Sequence, residues 1–152
     1  MRLSPIGLQI RPMTEDDYHA VYRLYRQLIG TGTYCGVPEF NRIFKQFFNS
    51  DDREAYVATV HNRVIGFVTL YYFDVFRCSG QVASIQELIV TEEFRGRGVG
   101  RALIEFVKQK VKEKNCRCLE VAADLWQDGA KSFYKRYGLM GKSLMLANDH
   151  GN

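Results

Sequence analysis

Apolar residues recur with two different periods along the first third of the chain, and these periods predict its secondary structure. Apolar and polar residues alternate over residues 8–11, which is typical of a short edge strand that ends at Pro12. Helical spacing then predicts a helix that begins at Thr14 and ends at Gly30. A second helix is predicted over about residues 39–49.

Strand-like patterns dominate the middle of the chain. Residues 55–60 and 64–73 are rich in β-branched and aromatic side chains, and the His-Asn-Arg segment between them predicts a hairpin turn. A further strand is predicted over residues 81–90. A long helix with its apolar positions on one side follows and ends near Lys114.

The remaining residues predict a strand, a helix and a last strand. The strands are expected at residues 117–122 and 139–146, with the helix inside residues 124–137. The predicted order of elements is therefore β-α-α-β-β-β-α-β-α-β. This order indicates a mixed α/β fold without internal repeats.

The junction between the strand at residues 81–90 and the long helix has the most informative chemistry. Three alternating glycines allow the backbone to turn tightly and to bring several N–H groups close to a ligand. The helix adds the positive end of its dipole, and neighbouring arginines add full charges. This combination predicts a site for a phosphate or pyrophosphate. The residues concerned are Arg95, Gly96, Arg97, Gly98, Gly100 and Arg101.

The composition narrows the class of protein. A chain of 152 residues with 46% hydrophobic residues can bury one core, so we expect a single domain over residues 1–152 with its core at about 8–147. The net charge of +4 is modest, and basic residues are interspersed with acidic ones, which argues against nucleic acid as a partner. No apolar stretch reaches the roughly 20 residues of a membrane span, and the N-terminus lacks the apolar core of a signal peptide. We therefore expect a cytoplasmic protein without a membrane partner.

The cysteines are consistent with that compartment. The chain has 4 cysteines, at positions 35, 78, 116 and 118, and none of them form a C-x-x-C pair. Intracellular enzymes usually keep such thiols reduced. Cys116 and Cys118 share one face of a predicted strand, where half-buried thiols are a more common arrangement than a metal site.

The segment Arg95-Gly96-Arg97-Gly98-Val99-Gly100 matches the pattern Arg/Gln-x-x-Gly-x-Gly/Ala. It resembles the acetyl-CoA pyrophosphate loop of the GNAT superfamily of N-acetyltransferases. Residues 88–90 look like the fourth strand of that family, and residues 126–139 look like its later coenzyme-binding helix. The resemblance extends from about residue 8 to about residue 146. It implies a GNAT-like single α/β domain whose central, mostly antiparallel mixed sheet is splayed between the fourth and fifth strands, with helices on both faces.

The resemblance also implies acetyl-CoA as a co-substrate, and no metal. Backbone N–H groups beside the splayed strand are expected to bind pantetheine and to polarise the thioester oxygen. Gln127 matches a position at which the family often has an asparagine that contacts the coenzyme. The residues assigned to the coenzyme are therefore Leu88, Ile89, Val90, Arg95, Gly96, Arg97, Gly98, Val99, Gly100, Arg101 and Gln127.

Tyr134 is the candidate general acid. It matches the position at which Phe-Tyr in the last helix of the family places a phenol near the coenzyme sulfur. A phenol with a pKa of ~10 can protonate the departing thiolate. Tyr137, one helical turn later, competes for the same role.

Glu87 is the candidate general base, because a carboxylate beside the thioester can take a proton from an ammonium group directly or through water. Simple alternation along the strand places Gln86 on the face of Leu88 and Glu87 on the opposite face, unless a bulge re-aims the side chain. The fourth strand of the GNAT family is often bulged. Asp124 and an ordered water chain remain alternative bases.

Two functions from different classes follow. The first is an acetyl-CoA-dependent N-acetyltransferase that moves an acetyl group to a primary amine by direct attack on the thioester. Its acceptor is expected to be a small cationic amine of aminoglycoside-like or polyamine-like type, or a peptide or protein amine. The alternative is a non-catalytic sensor or scaffold module that binds CoA. The expected oligomeric states include a homodimer.

Overall fold

The computed structural model describes residues 4–29, 36–122 and 129–141. These residues fall into two compact units, residues 1–122 and 123–152, and each unit is described by itself. The described part of the first unit contains a five-stranded sheet and three α-helices. The described part of the second unit contains one short helix. The expectation of a single domain over residues 1–152 stays a prediction.

Five strands form the sheet in the order β1-β2-β3-β4-β5. Neighbouring strands from β1 to β4 are antiparallel, whereas β4 and β5 are parallel, so the predicted mostly antiparallel mixed sheet is confirmed. The strands are β1 (Leu8–Pro12), β2 (Arg53–Val60), β3 (Arg63–Val75), β4 (Gly80–Val90) and β5 (Cys118–Val121).

The helices of the first unit lie where the sequence predicts them. They are α1 (Tyr18–Ile29), α2 (Val37–Asn49) and α3 (Val99–Glu113). A short 3-10 turn at residues 15–17 precedes α1, and its Asp17 carboxylate accepts the Thr14 N–H at 2.8 Å and a guanidinium N–H of Arg11 at 2.8 Å. Burial by itself raises the pKa of Asp17, but the hydrogen bonds from Arg11 and Thr14 outweigh it, so the pKa is lowered. These contacts fix the start of α1 against β1.

The helices cover both faces of the sheet. On one face, Val21 and Leu24 of α1 and the phenylalanines of α2 pack with alternate strand residues, including Phe67 and Ile89. On the other face, α3 packs closely enough that a Cβ on Gly66 would lie 3.5 Å from Leu103 Cδ1. Adjacent strand residues point to opposite faces, so Phe67 and Gly66 serve these two layers. We call the first layer the α1/α2 face and the second the α3 face.

The hairpin between β2 and β3 has a two-residue turn. His61 and Asn62 have φ values of 48° and 64°, so both residues adopt the left-handed conformation. This conformation matches the twist of paired strands, and it explains why the chain reverses here without a glycine. The sequence indicated this role for Asn62, and His61 shares it.

The expectation that the cysteines are reduced is wrong for Cys78 and Cys118. Cys78 follows β3, Cys118 begins β5, and the structure joins them in a disulfide across a Cα–Cα distance of 6.5 Å. A salt bridge of 2.7 Å between Arg77 and Glu120 links the same two segments. The cysteines are 40 residues apart in sequence, and only the parallel docking of β5 on β4 brings them together. Cysteine usage therefore no longer supports the cytoplasmic expectation.

In the second unit, α4 (Ala130–Arg136) begins after Gly129, whose φ is 78°. The helix ends at Tyr137 and Gly138, and the Leu139 N–H donates to the Tyr134 carbonyl oxygen at 2.9 Å. The predicted helix is thus confirmed over its second half. The last predicted strand lies mostly outside the described residues, and residues 139–141 of it have no strand geometry.

Candidate active site

A bulge interrupts the pairing of β4 with β3. Val68 pairs with Leu88, but Leu70 pairs with Ile85, so two residues of β4, Gln86 and Glu87, lie opposite Thr69. The extra residue reverses the alternation of side chains along β4. The bulge that the family resemblance implied is therefore present at the position of the candidate base.

The bulge places Gln86 and Glu87 on the same face of the sheet. Downstream, Glu87 lies on the side of Ile89, which is part of the α1/α2 core. Upstream, Gln86 donates its side-chain amide to Ser84 Oγ at 2.9 Å, and Ser84 pairs with Tyr71. Simple alternation predicted that Gln86 would lie on the face of Leu88. That prediction is wrong because the alternation argument assumes an unbroken ladder.

Within the described residues, one side chain, that of Thr69, hydrogen-bonds to Glu87. The Thr69 hydroxyl accepts the backbone N–H of Glu87 at 2.9 Å, and it also donates to Glu87 Oε2. Burial raises the pKa of Glu87, and the hydrogen bond from Thr69 lowers it by a smaller amount, so the net pKa is raised. A carboxyl group with a raised pKa is a stronger base than an exposed glutamate.

Aromatic side chains lie beside Glu87. Burial raises the pKa of Tyr71, and the negative charge of Glu87 raises it further. The ring of Phe47 from α2 lies 5.7 Å from the Tyr71 ring, and the Arg53 guanidinium carbon lies 5.1 Å from the Tyr71 centroid. Carboxylate and aromatic surface together are the groups that bind an organic ammonium ion.

Beyond the bulge, the backbone N–H groups of β4 point alternately toward β3 and away from it. The Thr91 N–H donates to the Ile65 carbonyl oxygen at 2.7 Å, so the Ile89 N–H also points toward β3 by antiparallel alternation. The N–H groups of Leu88 and Val90 then point away from β3. In the described part of the chain, β5 pairs with β4 only over residues 82–85, so no described strand meets these two groups.

The glycine loop links this strand to α3. Gly96 and Gly98 have φ values of 73° and 84°, which side chains other than glycine rarely adopt. Val99 is 1% exposed and anchors the first turn of α3 in the core. The first amides of that helix, at Val99, Gly100 and Arg101, lack acceptors one turn earlier within the helix and point out of its N-terminus. The loop thus has the geometry expected of an anion site.

The arginines of the loop differ in their contacts. Arg95 donates its Nε–H to the Val90 carbonyl oxygen at 3.0 Å, so this side chain also closes the turn after β4. The guanidinium of Arg97 lies 5.2 Å from the centroid of the Phe94 ring. The side chain of Arg101 is exposed on the first turn of α3. All three remain predicted coenzyme contacts.

In the second unit, Tyr134 is 8% exposed. Burial raises the pKa of this phenol to about 12, so it keeps its proton throughout the physiological range. The ring of Phe133 lies 5.2 Å from that of Tyr134 and 5.0 Å from that of Tyr137. Tyr134 is thus the buried phenol of the pair, whereas Tyr137 is half-buried. Gln127 and the alternative base Asp124 lie outside the described residues.

Sequence reasoning missed Thr69 and Tyr71. Both lie in the run predicted as the strand at residues 64–73, where they were interpreted only as strand-forming residues. A signal was available for Thr69, because it is the one hydroxyl in an otherwise apolar stretch from Val64 to Leu70. Its partner is 18 residues away and could not be read from the sequence.

Within residues 4–29, 36–122 and 129–141, no three side chains of His, Cys, Asp or Glu gather as a metal ion requires. None of the helices in this part of the chain combines the length and the apolar character that crossing a bilayer demands.

Comparison with known proteins identifies relatives over most of the chain. Residues 14–139 match the family model described as the acetyltransferase (GNAT) family. An uncharacterized N-acetyltransferase of Methanocaldococcus jannaschii is 29% identical over 145 residues, which cover 90% of this chain and 62% of that protein. An uncharacterized N-acetyltransferase of Archaeoglobus fulgidus is 27% identical over 137 residues, covering 84% of this chain and 89% of that protein.

The fold is shared with solved structures. An aminoglycoside acetyltransferase from an uncultured soil metagenomic sample, in complex with sisomicin, superposes with a TM-score of 0.79 at 21% identity. The match covers 96% of this chain and 97% of that one, and at this identity it shows the fold alone. The family match over residues 14–139 agrees with the bulged fourth strand and the glycine loop that follows it. The chain belongs to the GNAT family of acetyltransferases.

Proposed function

We propose that this chain is an acetyl-CoA-dependent N-acetyltransferase that acts on a primary amine by direct attack on the thioester. The observation that carries the proposal is the bulge in β4, which turns Glu87 onto the α1/α2 face directly before the strand runs into the glycine loop. A base and an anion site on one strand–loop–helix segment match the two halves of this reaction.

Glu87 is proposed to take the proton of the acceptor ammonium. The amine nitrogen then attacks the thioester carbonyl carbon, the carbon–sulfur bond breaks, and the thiolate leaves. Tyr134 is proposed to give the thiolate its proton, and its raised pKa keeps that proton available at neutral pH. The attacking nitrogen still carries a second proton, which it releases to water once the amide has formed. Glu87 and Tyr134 then return to their starting protonation states by proton exchange with water, so the reaction balances.

The backbone is proposed to bind the coenzyme. The N–H groups of Leu88 and Val90 would hold pantetheine and the thioester oxygen, since they point away from β3. The amides of Val99, Gly100 and Arg101, with the charges of Arg95 and Arg97, would hold the pyrophosphate. Ile89 contributes the strand pairing that positions its two neighbours. Gln127 keeps its predicted amide contact with the coenzyme.

The acceptor is proposed to be a small cationic amine. The raised pKa of Glu87 and the Tyr71 and Phe47 rings beside it suit an ammonium group on a flexible or sugar scaffold. The shared fold with an aminoglycoside acetyltransferase supports testing aminoglycosides beside polyamines and a lysine-containing peptide.

The experiment is thiol release from acetyl-CoA in the presence of these three acceptor classes. The enzyme should accelerate release with at least one class, and Glu87→Gln should remove the acceleration. Glu105→Gln is the matched control, because Glu105 is an exposed carboxylate on α3. Tight CoA binding without release by any amine would favour the sensor or scaffold module instead.

A further inference from the structure

The bulge in β4 interrupts the regular pairing with β3, and the side chain of Thr69 provides a hydrogen-bond acceptor there. Two β4 residues face one β3 residue, so the regular backbone ladder is interrupted at Gln86 and Glu87. The Thr69 hydroxyl oxygen accepts this N–H at 2.9 Å, and the side chain of Thr69 is 5% exposed. A buried N–H without this partner would cost stability.

The same hydroxyl has only one proton, and it donates that proton to Glu87 Oε2. An ionised carboxylate carries no proton, so the Thr69 hydroxyl is the donor in this contact. In the described part of the chain, Glu87 Oε1 has no hydrogen-bond partner, so Oε1 is the oxygen that remains for an acceptor proton. One side chain thus fixes both the backbone and the carboxylate of Glu87.

The other ionisable groups around Glu87 leave this role to Thr69. Tyr71 on β3 interacts with the Glu87 charge, and Arg53 on β2 lies over the Tyr71 ring while its guanidinium binds Asp52 at 2.9 Å. From α1, Tyr18, Tyr22 and Tyr25 pack against the same face. Phenols are neutral at physiological pH, so they add no charge that would hold the carboxylate ionised.

We propose that Thr69 is the positioning residue for Glu87: its hydroxyl stabilises the ionised carboxylate and directs Oε1 toward the acceptor amine. The inference rests on the proposed function, in which Glu87 is the base. Threonine suits this position because it is β-branched and fits a central strand, while its hydroxyl accepts the Glu87 N–H at the bulge.

The test compares Thr69→Val, which keeps the shape, with Thr69→Ser, which keeps the hydroxyl. Thr69→Val should lower kcat about tenfold, move the acidic limb of the pH–rate profile upward and leave the KM for acetyl-CoA unchanged. Thr69→Ser should restore kcat to within about threefold and return the limb to its original position. Thr59→Val is the control, since Thr59 is a buried threonine of β2, 3% exposed.

A second readout does not depend on activity. Carboxyl NMR of glutamate-labelled protein, with the Glu87 signal assigned by its loss in Glu87→Gln, reports the pKa of Glu87 directly. That pKa should rise in Thr69→Val and recover in Thr69→Ser. An unchanged Glu87 pKa in Thr69→Val would overturn the proposal. If Thr69→Val does not fold, Thr69→Ala provides the same comparison without the steric demand of two methyl groups.

The two readouts separate this inference from the proposed function. A Glu87 pKa that responds to Thr69, combined with a Glu87→Gln variant as active as the parent, would support the positioning contact and remove the base role of Glu87. An inactive Glu87→Gln variant combined with a fully active Thr69→Val variant would keep the base and overturn the role of Thr69.

Discussion

Two glutamates on opposite faces of the sheet are both largely covered by protein, yet they differ in their hydrogen-bond and ion-pair partners. Glu54, on the α3 face, accepts hydrogen bonds from the hydroxyls of Tyr56 at 2.6 Å and Tyr72 at 3.0 Å, and it pairs with Lys114 at 2.8 Å. We call these four residues the Glu54 cluster. Glu87, on the α1/α2 face, has one side-chain partner among the described residues, the neutral hydroxyl of Thr69.

The pKa values follow from these partners. Burial by itself raises the pKa of Glu54, but the hydrogen bonds from Lys114 and the two phenols outweigh it, and the net pKa is lowered. Burial dominates for Glu87, and its pKa is raised. A carboxylate with every partner supplied by the protein stabilises the fold, whereas one left short of partners is ready to take a proton from a ligand. The comparison predicts which glutamate is functional.

The largest expected effect is on turnover. Glu87→Gln should lower kcat by roughly a hundred- to ten-thousand-fold, since general base catalysis contributes effects of that size. Glu54→Gln should leave kcat near that of the parent but lower the free energy of unfolding by about 0.5–1 kcal/mol, because a partly exposed ion pair with Lys114 loses one charge. Steady-state kinetics and urea unfolding of both variants measure this contrast. Equal losses of kcat in Glu87→Gln and Glu54→Gln would contradict the proposed difference between the two glutamates.

A substitution in the glycine loop should change acetyl-CoA affinity while both glutamates are left intact. Gly98→Val forces a β-branched side chain into a backbone with φ of 84° at the start of α3, and acetyl-CoA affinity should fall about a hundredfold or more. Gly141→Val is the control, because a Cβ there meets no atom within 4 Å. Isothermal titration with acetyl-CoA measures the affinity, and an unchanged Kd for Gly98→Val would contradict the assigned phosphate loop.

The phenols allow the same comparison for the proposed acid. Tyr134→Phe should lower kcat at least about tenfold without changing acetyl-CoA affinity, because only the proton donor is removed. Tyr72→Phe deletes a hydroxyl of the Glu54 cluster and should affect stability alone. The parent should show no loss of rate from phenol ionisation until the pH approaches about 12. Turnover of Tyr134→Phe at the level of the parent would transfer the role to Tyr137 or to water.

The smallest effects concern stability against pH, and they have opposite signs. The pKa of Glu87 is raised in the folded protein, so its stabilisation is complete below the ordinary value of 4.5 and is lost as the pH rises through the folded pKa. Glu87→Gln should therefore match the parent in stability at low pH and be more stable than the parent at pH 7.

Glu54 behaves in the reverse way. Its pKa is lowered, so its stabilisation is present above 4.5 and is lost as the pH falls through the folded pKa. Glu54→Gln should be less stable than the parent at pH 7 and approach it in acid. Urea midpoints between pH 3 and pH 8 test both signs, and parallel curves for the two variants would contradict the comparison.

Much of the fold could be predicted from the sequence because the relevant signals are local. The helical periods and the turn before Arg63 act over a few residues, and the described elements agree with them to within a few positions. The glycine loop was predicted for the same reason, since its conformation depends on φ values that its own glycines allow. Glu87 and Tyr134 were chosen by family resemblance, and their environments were not readable from the pattern.

What the sequence by itself determined is the order of elements, the loop at residues 95–100 and the identity of the ionisable groups. Only the tertiary structure decided which groups meet. The register of β4 on β3 brings Thr69 to Glu87 across 18 residues, and the docking of β5 brings Cys78 to Cys118 across 40. Strand register depends on the packing of whole faces, and one extra residue reverses every side chain beyond it. The local sequence pattern therefore identifies the carboxylates of this protein, and the tertiary structure determines which of them remains available to react.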